Sequence, residues 1–243
     1  MLYNLHSKQP ISAPLNKIDM TEKSHIFLAG ASRGVGLEIA KCLTAQKMQV
    51  TALLRSPATS TELEAMGIKV VTGDALDAAA MEAAMAGGDS IHAVISTIGG
   101  LPKDGERADY LGNKNLIDAA VKAGVQKFIL VSSIGSGNSV GALPPQALET
   151  LRPVLIEKEK AENHLIESGM IYTVIRPGGL KSEPATGNGI LTEDCRVAGT
   201  IHRADVAQLV CQCLVSDAAN NKVLSAVDKQ MVYGNPEFEE LNL

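Results

Sequence analysis

"GASRGVG", Gly30 to Gly36, stands between the apolar run Ile26-Phe27-Leu28-Ala29 and the helix-forming run Leu37-Glu38-Ile39-Ala40-Lys41-Cys42-Leu43. A glycine loop that closes a strand and opens a helix brings backbone N–H groups to the positive end of the helix dipole, where phosphate groups bind. Gly30, Gly34 and Gly36 permit a tight turn, close approach of the backbone to a pyrophosphate, and close packing of helix on strand. A glycine pattern alone is weak. Here the preceding strand, the following helix and a second strand at Gln49–Leu54 supply the context that turns a pattern into a candidate site. The candidate contacts are Gly30, Ser32, Arg33, Gly34, Val35 and Gly36, with an ordinary tight turn as the alternative reading.

The second strand speaks to which dinucleotide. An NAD-selective site usually carries Asp or Glu at its end, about 20 residues past the loop, to accept hydrogen bonds from the ribose hydroxyls. This strand ends Leu53-Leu54-Arg55-Ser56, with no acid. Arg55 and the loop residue Arg33 suit a 2′-phosphate instead, through charge-assisted hydrogen bonds. The expected cofactor is therefore NADP(H), although either arginine taken singly reads equally well as a solvated surface residue. After the third strand come Gly73-Asp74-Ala75, where Asp74 and Ala75 would meet the adenine; helix capping is the competing role for Asp74. Ser96-Thr97-Ile98-Gly99-Gly100 follows the fourth strand, and Thr97 and Gly99 there would leave room for the ribose and nicotinamide, unless this is a plain glycine turn.

Along the rest of the chain, short apolar runs at 25–29, 49–54, 68–72, 91–96, 126–132, 171–176 and 223–227 alternate with helical segments near 35–47, 61–66, 78–86, 106–123, 155–168 and 203–215. Strands apolar throughout imply a sheet covered on both faces, and strict alternation with helices implies parallel order. Gly67, Gly87, Gly124 and Gly169 each follow a helical run, where a left-handed terminating residue is wanted. The expectation is a single α/β domain over 25–243, a doubly wound parallel-sheet Rossmann fold, preceded by a loose extension over 1–24. The longest irregular stretches, 133–152 and 177–201, would border the substrate, because ligands of open α/β sheets sit beyond the carboxyl ends of the strands.

Composition excludes several classes. A net charge of −5 offers no general attraction to nucleic acid or anionic membranes. No apolar stretch approaches the roughly 18 residues that cross a bilayer, so the expectation is a soluble, cytoplasmic protein, monomeric or a small homo-oligomer, acting on a small molecule. Cys42, Cys195, Cys211 and Cys213 form no C-x-x-C pair and read as reduced thiols. The five histidines show no ligand spacing along the chain, so no metal site is expected.

Several motifs in order carry a resemblance: the glycine loop, Gly73-Asp74, "DYLGNKNLIDAAVKAGVQKFILVSSIG" (109–135), "KEKAENHLIESGMIYTVIRPGGL" (158–180) and "HRADVAQLV" (202–210). Together they resemble the atypical short-chain dehydrogenase/reductase superfamily, in particular NAD(P)H-binding proteins of the biliverdin-IXβ/flavin reductase type. The resemblance implies a catalytic serine after the fifth strand, matched by Ser132 and Ser133, and a Tyr-x-x-x-Lys pair on the next helix. Lys158 matches that lysine, which would contact the ribose hydroxyls, with one of several charges on a solvated helix face as its alternative reading, and Glu162 matches the acid that often follows it, but Val154 stands four residues before Lys158. The tyrosine is missing. It also implies that Pro177, Gly178 and Gly179 lie beside the nicotinamide, that Asp109 occupies the place of an active-site asparagine, and that Arg203 and Asp205 are structural. For Asp109 an exposed helix residue is the simpler reading, and for Arg203 and Asp205 helix capping and an ion pair.

A positioned acid or base is worth typically 10²–10⁴-fold in the reduction of a carbonyl, and valine cannot supply it. Flavins, quinones and linear tetrapyrroles accept hydride at an electron-poor centre and draw the proton from solvent. The expected activity is therefore NADPH-dependent hydride transfer to a planar conjugated acceptor, with a non-catalytic NADPH-binding regulatory or assembly protein as the alternative. A sugar-nucleotide epimerase is disfavoured, since it would want the tyrosine and a larger C-terminal domain.

Overall fold

The structure, a computed structural model, describes residues 24–100 and 107–243. The extension expected over 1–24 lies outside them, Ser24 excepted. The β-rich runs become β1 (His25–Ala29), β2 (Gln49–Leu54), β3 (Lys69–Thr72), β4 (Ala93–Ser96), β5 (Lys127–Val131), β6 (Ile171–Pro177) and β10 (Lys222–Asp228). With β8 (Gly189–Thr192) they form an eight-stranded sheet in the order β3-β2-β1-β4-β5-β6-β10-β8. Every pairing is parallel except that of β8, which runs antiparallel to β10 at one edge.

Alternation along β1 shows how both faces are filled. Ile26 and Leu28 pack with Ile39 and Leu43 of α1 (Gly34–Ala45), Leu63 of α2 (Ser60–Ala65), and Val206, Val210 and Leu214 of α6 (Arg203–Val215). Phe27 and Ala29 point to the other face. They meet Met81 and Met85 of α3 (Ala78–Ala86), Leu116 and Ile117 of α4 (Leu111–Lys122), and Ala161 and Leu165 of α5 (Pro145–Glu167). A period of two on a strand, with apolar residues on both faces, requires helices on both sides. Lys127, only 2% exposed, ties the layers together: its Nζ donates to the carbonyls of Cys213, Leu214 and Ser216 at 2.6, 3.3 and 3.2 Å, at the negative end of α6.

Three of the four helix-terminating glycines are left-handed, with φ of 82° at Gly67, 71° at Gly124 and 77° at Gly169; Gly87 instead has φ −105°. The two stretches expected to be irregular are largely built. A helical turn spans Gly137–Ala142, and α5 begins at Pro145, ten residues before the helix expected at 155. Proline fits the first helical position, where its missing N–H costs nothing, and α5 continues through Pro153. Within 177–201, β7 (Gly179–Lys181) pairs with β9 (Thr200–His202) in a small second sheet, and β8 joins the main one.

Candidate functional site

The register aligns the carboxyl ends of the central strands. Ala29 pairs with Ser96, Ser96 with Leu130, and Val131 with Ile175. The residues that follow, Gly30, Thr97, Ser132 and Pro177, therefore emerge on one edge of the sheet. The strand order reverses between β1 and β4, which is where ligands of open α/β sheets bind.

At this reversal the glycine loop is packed without slack. Gly30 and Gly34 have φ of 90° and 60°, conformations costly for residues with a Cβ. A Cβ on Gly36 would overlap the Gly30 carbonyl oxygen and lie 2.7 Å from Thr97 Oγ1. Thr97 Oγ1 in turn donates to the Gly30 carbonyl at 3.1 Å, fastening the loop to the end of β4. Helix α1 starts with Arg33 as its cap, whose side chain makes no cap hydrogen bond, and it has no acid in its first turn. That leaves donors and the positive dipole end for an anion. Val35 is buried beneath the loop, whereas Arg33 is exposed, as is Arg55 just beyond β2. Arg203 also reaches this region: its Nε lies 3.6 Å from where a Gly34 Cβ would stand, and its Nη1 donates to Ser182 Oγ at 2.7 Å.

Beyond β3, Asp74 is exposed and its carboxylate accepts from the Leu76 amide at 3.0 Å, a local turn. The helix-capping role considered for it belongs to Asp77, which accepts from the amides of Ala79 and Ala80. Ala75 is buried and its carbonyl accepts from Asn115 Nδ2 at 2.9 Å.

The loop after β4 carries the largest difference from the sequence reading. Asp109 is fully buried, not exposed. Its carboxylate lies 3.4 Å from Lys158 Nζ and 3.4 Å from Arg107 Nε, and accepts from the Gly100 amide at 3.3 Å. A Cβ on Gly99 would fall 2.6 Å from Asp109 Oδ1 and 3.2 Å from Lys158 Nζ, so the glycine lets this ion pair approach the loop. Asn113 holds the loop from below: it accepts from Ser96 Oγ at 2.6 Å and donates to the carbonyls of Ile98 and Asp109. Arg107 lies outside the quoted motifs, and Asn113 stood within one of them with no role assigned. Asp109 stood in a quoted motif, and its burial was the missing fact.

The two serines after β5 have separate surroundings. Ser132 Oγ donates to Glu162 Oε1 in a short hydrogen bond. Glu162 also receives Arg176 through two bonds, Nη2 to Oε2 at 2.6 Å and Nε to Oε1 at 3.2 Å, and Arg176 Nη1 donates to Asn138 Oδ1 at 2.5 Å. Ser132, Glu162 and Arg176 are 8%, 2% and 5% exposed, so this is a desolvated, fully bonded network. Ser133 Oγ donates to the Ile134 carbonyl at 3.0 Å. Lys158 pairs with Asp109 beside Gly99, while Glu162, one turn further along α5, pairs with Arg176. Pro177 ends β6, and the Gly178 amide donates to Ala226 while Gly179 donates to the Gly199 carbonyl, each at 2.9 Å. Gly178 has no room for a Cβ against that same carbonyl.

Arg203 and Asp205 are structural neighbours but not partners. Asp205 accepts from the amides of Thr186 and Gly187 at 3.0 and 2.9 Å, and His202, the cap residue of α6, makes no side-chain cap. The expected ion pair and cap give way to bonds that pin the 182–189 segment.

A parallel sheet with a glycine loop at its reversal and an uncapped helix start beyond it defines a dinucleotide-binding Rossmann domain. The NAD(P)H-binding family model matches residues 30–217, and the chain belongs to that family. It is 31% identical over 255 aligned positions to sanguinarine reductase of Eschscholzia californica, covering 87% of this chain and 91% of that protein. Over 213 positions it is 33% identical to an uncharacterised chloroplastic protein of Arabidopsis thaliana, covering 83% of this chain and 76% of the relative. Among solved structures it resembles ChuY, an anaerobilin reductase from Escherichia coli O157:H7, at 34% identity and a TM-score of 0.77, covering 88% of this chain and 100% of that one. These matches bear out the resemblance to atypical short-chain dehydrogenases/reductases of the biliverdin-IXβ reductase type. Among the described residues no helix is long and apolar enough to cross a membrane.

Proposed function

We propose that the protein is an NADPH-dependent reductase that delivers hydride to a planar conjugated acceptor whose reduction needs no acid from the protein. The observation that carries the reading is the state of the residues around the nicotinamide position. Val154 stands where a tyrosine would, Ser132 is bound to the Glu162–Arg176 pair, and Lys158 is paired with Asp109. No phenol is supplied at the position that would protonate a substrate oxygen.

The residues fit the cofactor. The close contact at Gly36 and the uncapped start of α1 leave backbone donors for a pyrophosphate. Arg33 and Arg55 would meet the 2′-phosphate, Asp74 and Ala75 the adenine, Thr97, Gly99 and Lys158 the ribose of the nicotinamide, and Pro177, Gly178 and Gly179 its carboxamide edge. When bound, NADPH supplies the hydride. The chain's own part is to hold and orient, with the Asp109 carboxylate 3.4 Å from Lys158 Nζ holding that side chain beside Gly99, and Ser133 lining the acceptor side. The names of the sanguinarine and anaerobilin reductases support reduction as the shared chemistry.

The test is NADPH oxidation by the purified protein, with NADH for comparison, across flavin, quinone, linear tetrapyrrole and simple aldehyde acceptors. Saturable, NADPH-selective turnover of a planar acceptor, with the aldehydes inert, is the expected result. Tight NADPH binding with no turnover would overturn it in favour of a non-catalytic NADPH-binding protein.

A further inference from the structure

Beside the dinucleotide site, where β9, the start of α6 and the end of β10 converge, lies a cluster that cofactor binding does not use. His202, Asp205 and Asp228 are 5%, 1% and 0% exposed, and one ligand atom from each lies within 4.8 Å of the others. Thr186 Oγ1 bridges the carboxylates, 2.5 Å from Asp228 Oδ2 and 3.3 Å from Asp205 Oδ2, and the Gln230 amide donates to Asp228 Oδ1 at 2.8 Å. Among the described residues no lysine or arginine pairs with either carboxylate; the nearby base is His202.

The histidine ring is what singles this cluster out. Among the described residues its Nδ1 is buried without a hydrogen-bond partner, 3.7 Å from Asp205 Oδ2, while its Nε2 faces Glu183 Oε2 at 3.5 Å. A separation of 3.7 Å is too long for an N–H···O bond. In the tautomer that carries its proton on Nε2, on the side facing Glu183, Nδ1 presents its lone pair toward the Asp205 carboxylate. Histidines that bind metals show this arrangement, with one ring nitrogen on the ion and the other N–H directed at a carboxylate. Two ligands about 2.0–2.2 Å from one tetrahedral ion stand about 3.4 Å apart, so the observed gap closes with a small movement.

We propose that His202 Nδ1, Asp205 and Asp228 form a binding site for a divalent first-row transition ion, with Glu183 orienting the imidazole and the Thr186 hydroxyl or water completing the shell. One imidazole and two carboxylates suit Mn²⁺ or Zn²⁺, and the two carboxylate charges balance the ion's. The site would fasten the 182–189 segment to α6 and β10. Scattered histidines gave no sign of it along the chain, because the third ligand comes from a strand 23 positions away and the fold alone assembles the set.

The chelator-stripped full chain, without nucleotide, is titrated with Mn²⁺ alone, and free Mn²⁺ is read by electron paramagnetic resonance, since thiols compete poorly for this ion. One equivalent should bind and be displaced by Zn²⁺. His202→Gln and Asp228→Asn should each weaken binding at least about tenfold. Should either fail to fold, Glu183→Gln decides, because this carboxylate is 70% exposed and its loss cannot open the core; it too should weaken binding about tenfold. Binding by the wild type no stronger than that of these variants, or no binding at all, would overturn the site.

Discussion

Replacing Arg176 by methionine removes the cation from a buried pair while keeping much of its volume. Glu162, 2% exposed, is then left with only the Ser132 hydroxyl as side-chain donor, having lost two guanidinium bonds of 2.6 and 3.2 Å. Breaking a buried pair on one side costs about 3–5 kcal/mol, because an uncompensated charge remains. Asn138 loses its partner too, though it is exposed and water replaces the bond. The double replacement Arg176→Met with Glu162→Met removes both charges, and apolar substitutes for buried pairs are often neutral or better. It should therefore recover most of the loss. The assay is urea unfolding followed by far-ultraviolet circular dichroism, since the chain has no tryptophan to report. With a urea slope of about 1–3 kcal/mol/M, the single variant's midpoint should fall by at least about 1 M. A single variant within about 1 kcal/mol of wild type, or a double variant as unstable as the single, would refute the claim that this network is desolvated and charge-balanced.

Further outcomes follow from the same geometry. Ser132→Ala should lower turnover less than about tenfold, because its hydroxyl serves Glu162; a loss in the 10²–10⁴ range typical of a proton-transfer residue would make it catalytic. Arg55→Asp should weaken NADPH binding about 10–100-fold by removing a charge-assisted bond of about 1.5–3 kcal/mol and adding repulsion, with NADH barely affected; equal loss of both in a binding titration would sink the 2′-phosphate assignment. Gly36→Ala should lower both Tm and NADPH affinity, since its methyl meets the Gly30 carbonyl and Thr97. Burial holds the Lys127 ammonium below the ordinary lysine range. Below the folded-state value the desolvation penalty is present in full; as pH rises from there toward the unfolded value, the folded protein sheds the proton first and the penalty fades. Relative to Lys127→Met, wild-type stability measured by urea unfolding should thus rise with pH in that alkaline interval, and a fall would contradict the sign.

The strand-loop-helix grammar was legible because it is local. β1, the glycine loop and α1 are specified within about twenty residues, and the apolar runs that make a two-faced sheet need no knowledge of their partners. Three glycines read as left-handed terminators are so for the same reason. What escaped depends on contacts distant in sequence. Asp109 looks like a surface residue until Lys158, 49 positions on, and Arg107 are placed around it. Glu162 and Arg176 look like a solvated helix charge and a strand-end base until Ser132 joins them. α5 starts ten residues before the expected 155 because Pro145 takes the first helical position and the helix runs on through Pro153, accepting the lost bond in its interior. The antiparallel β8 was hidden by the glycines and polar residues around it, its partner β10 lying more than thirty residues further along.

The central claim is hydride transfer without an acid from the protein. Single-turnover oxidation of NADPH and its C4-deuterated form, with the best planar acceptor and across pH, tests it most directly. The account predicts a primary isotope effect and a rate constant that tracks only the acceptor's own ionisation, unchanged in Ser132→Ala. A rate that titrates with a protein group and collapses in that variant would contradict it.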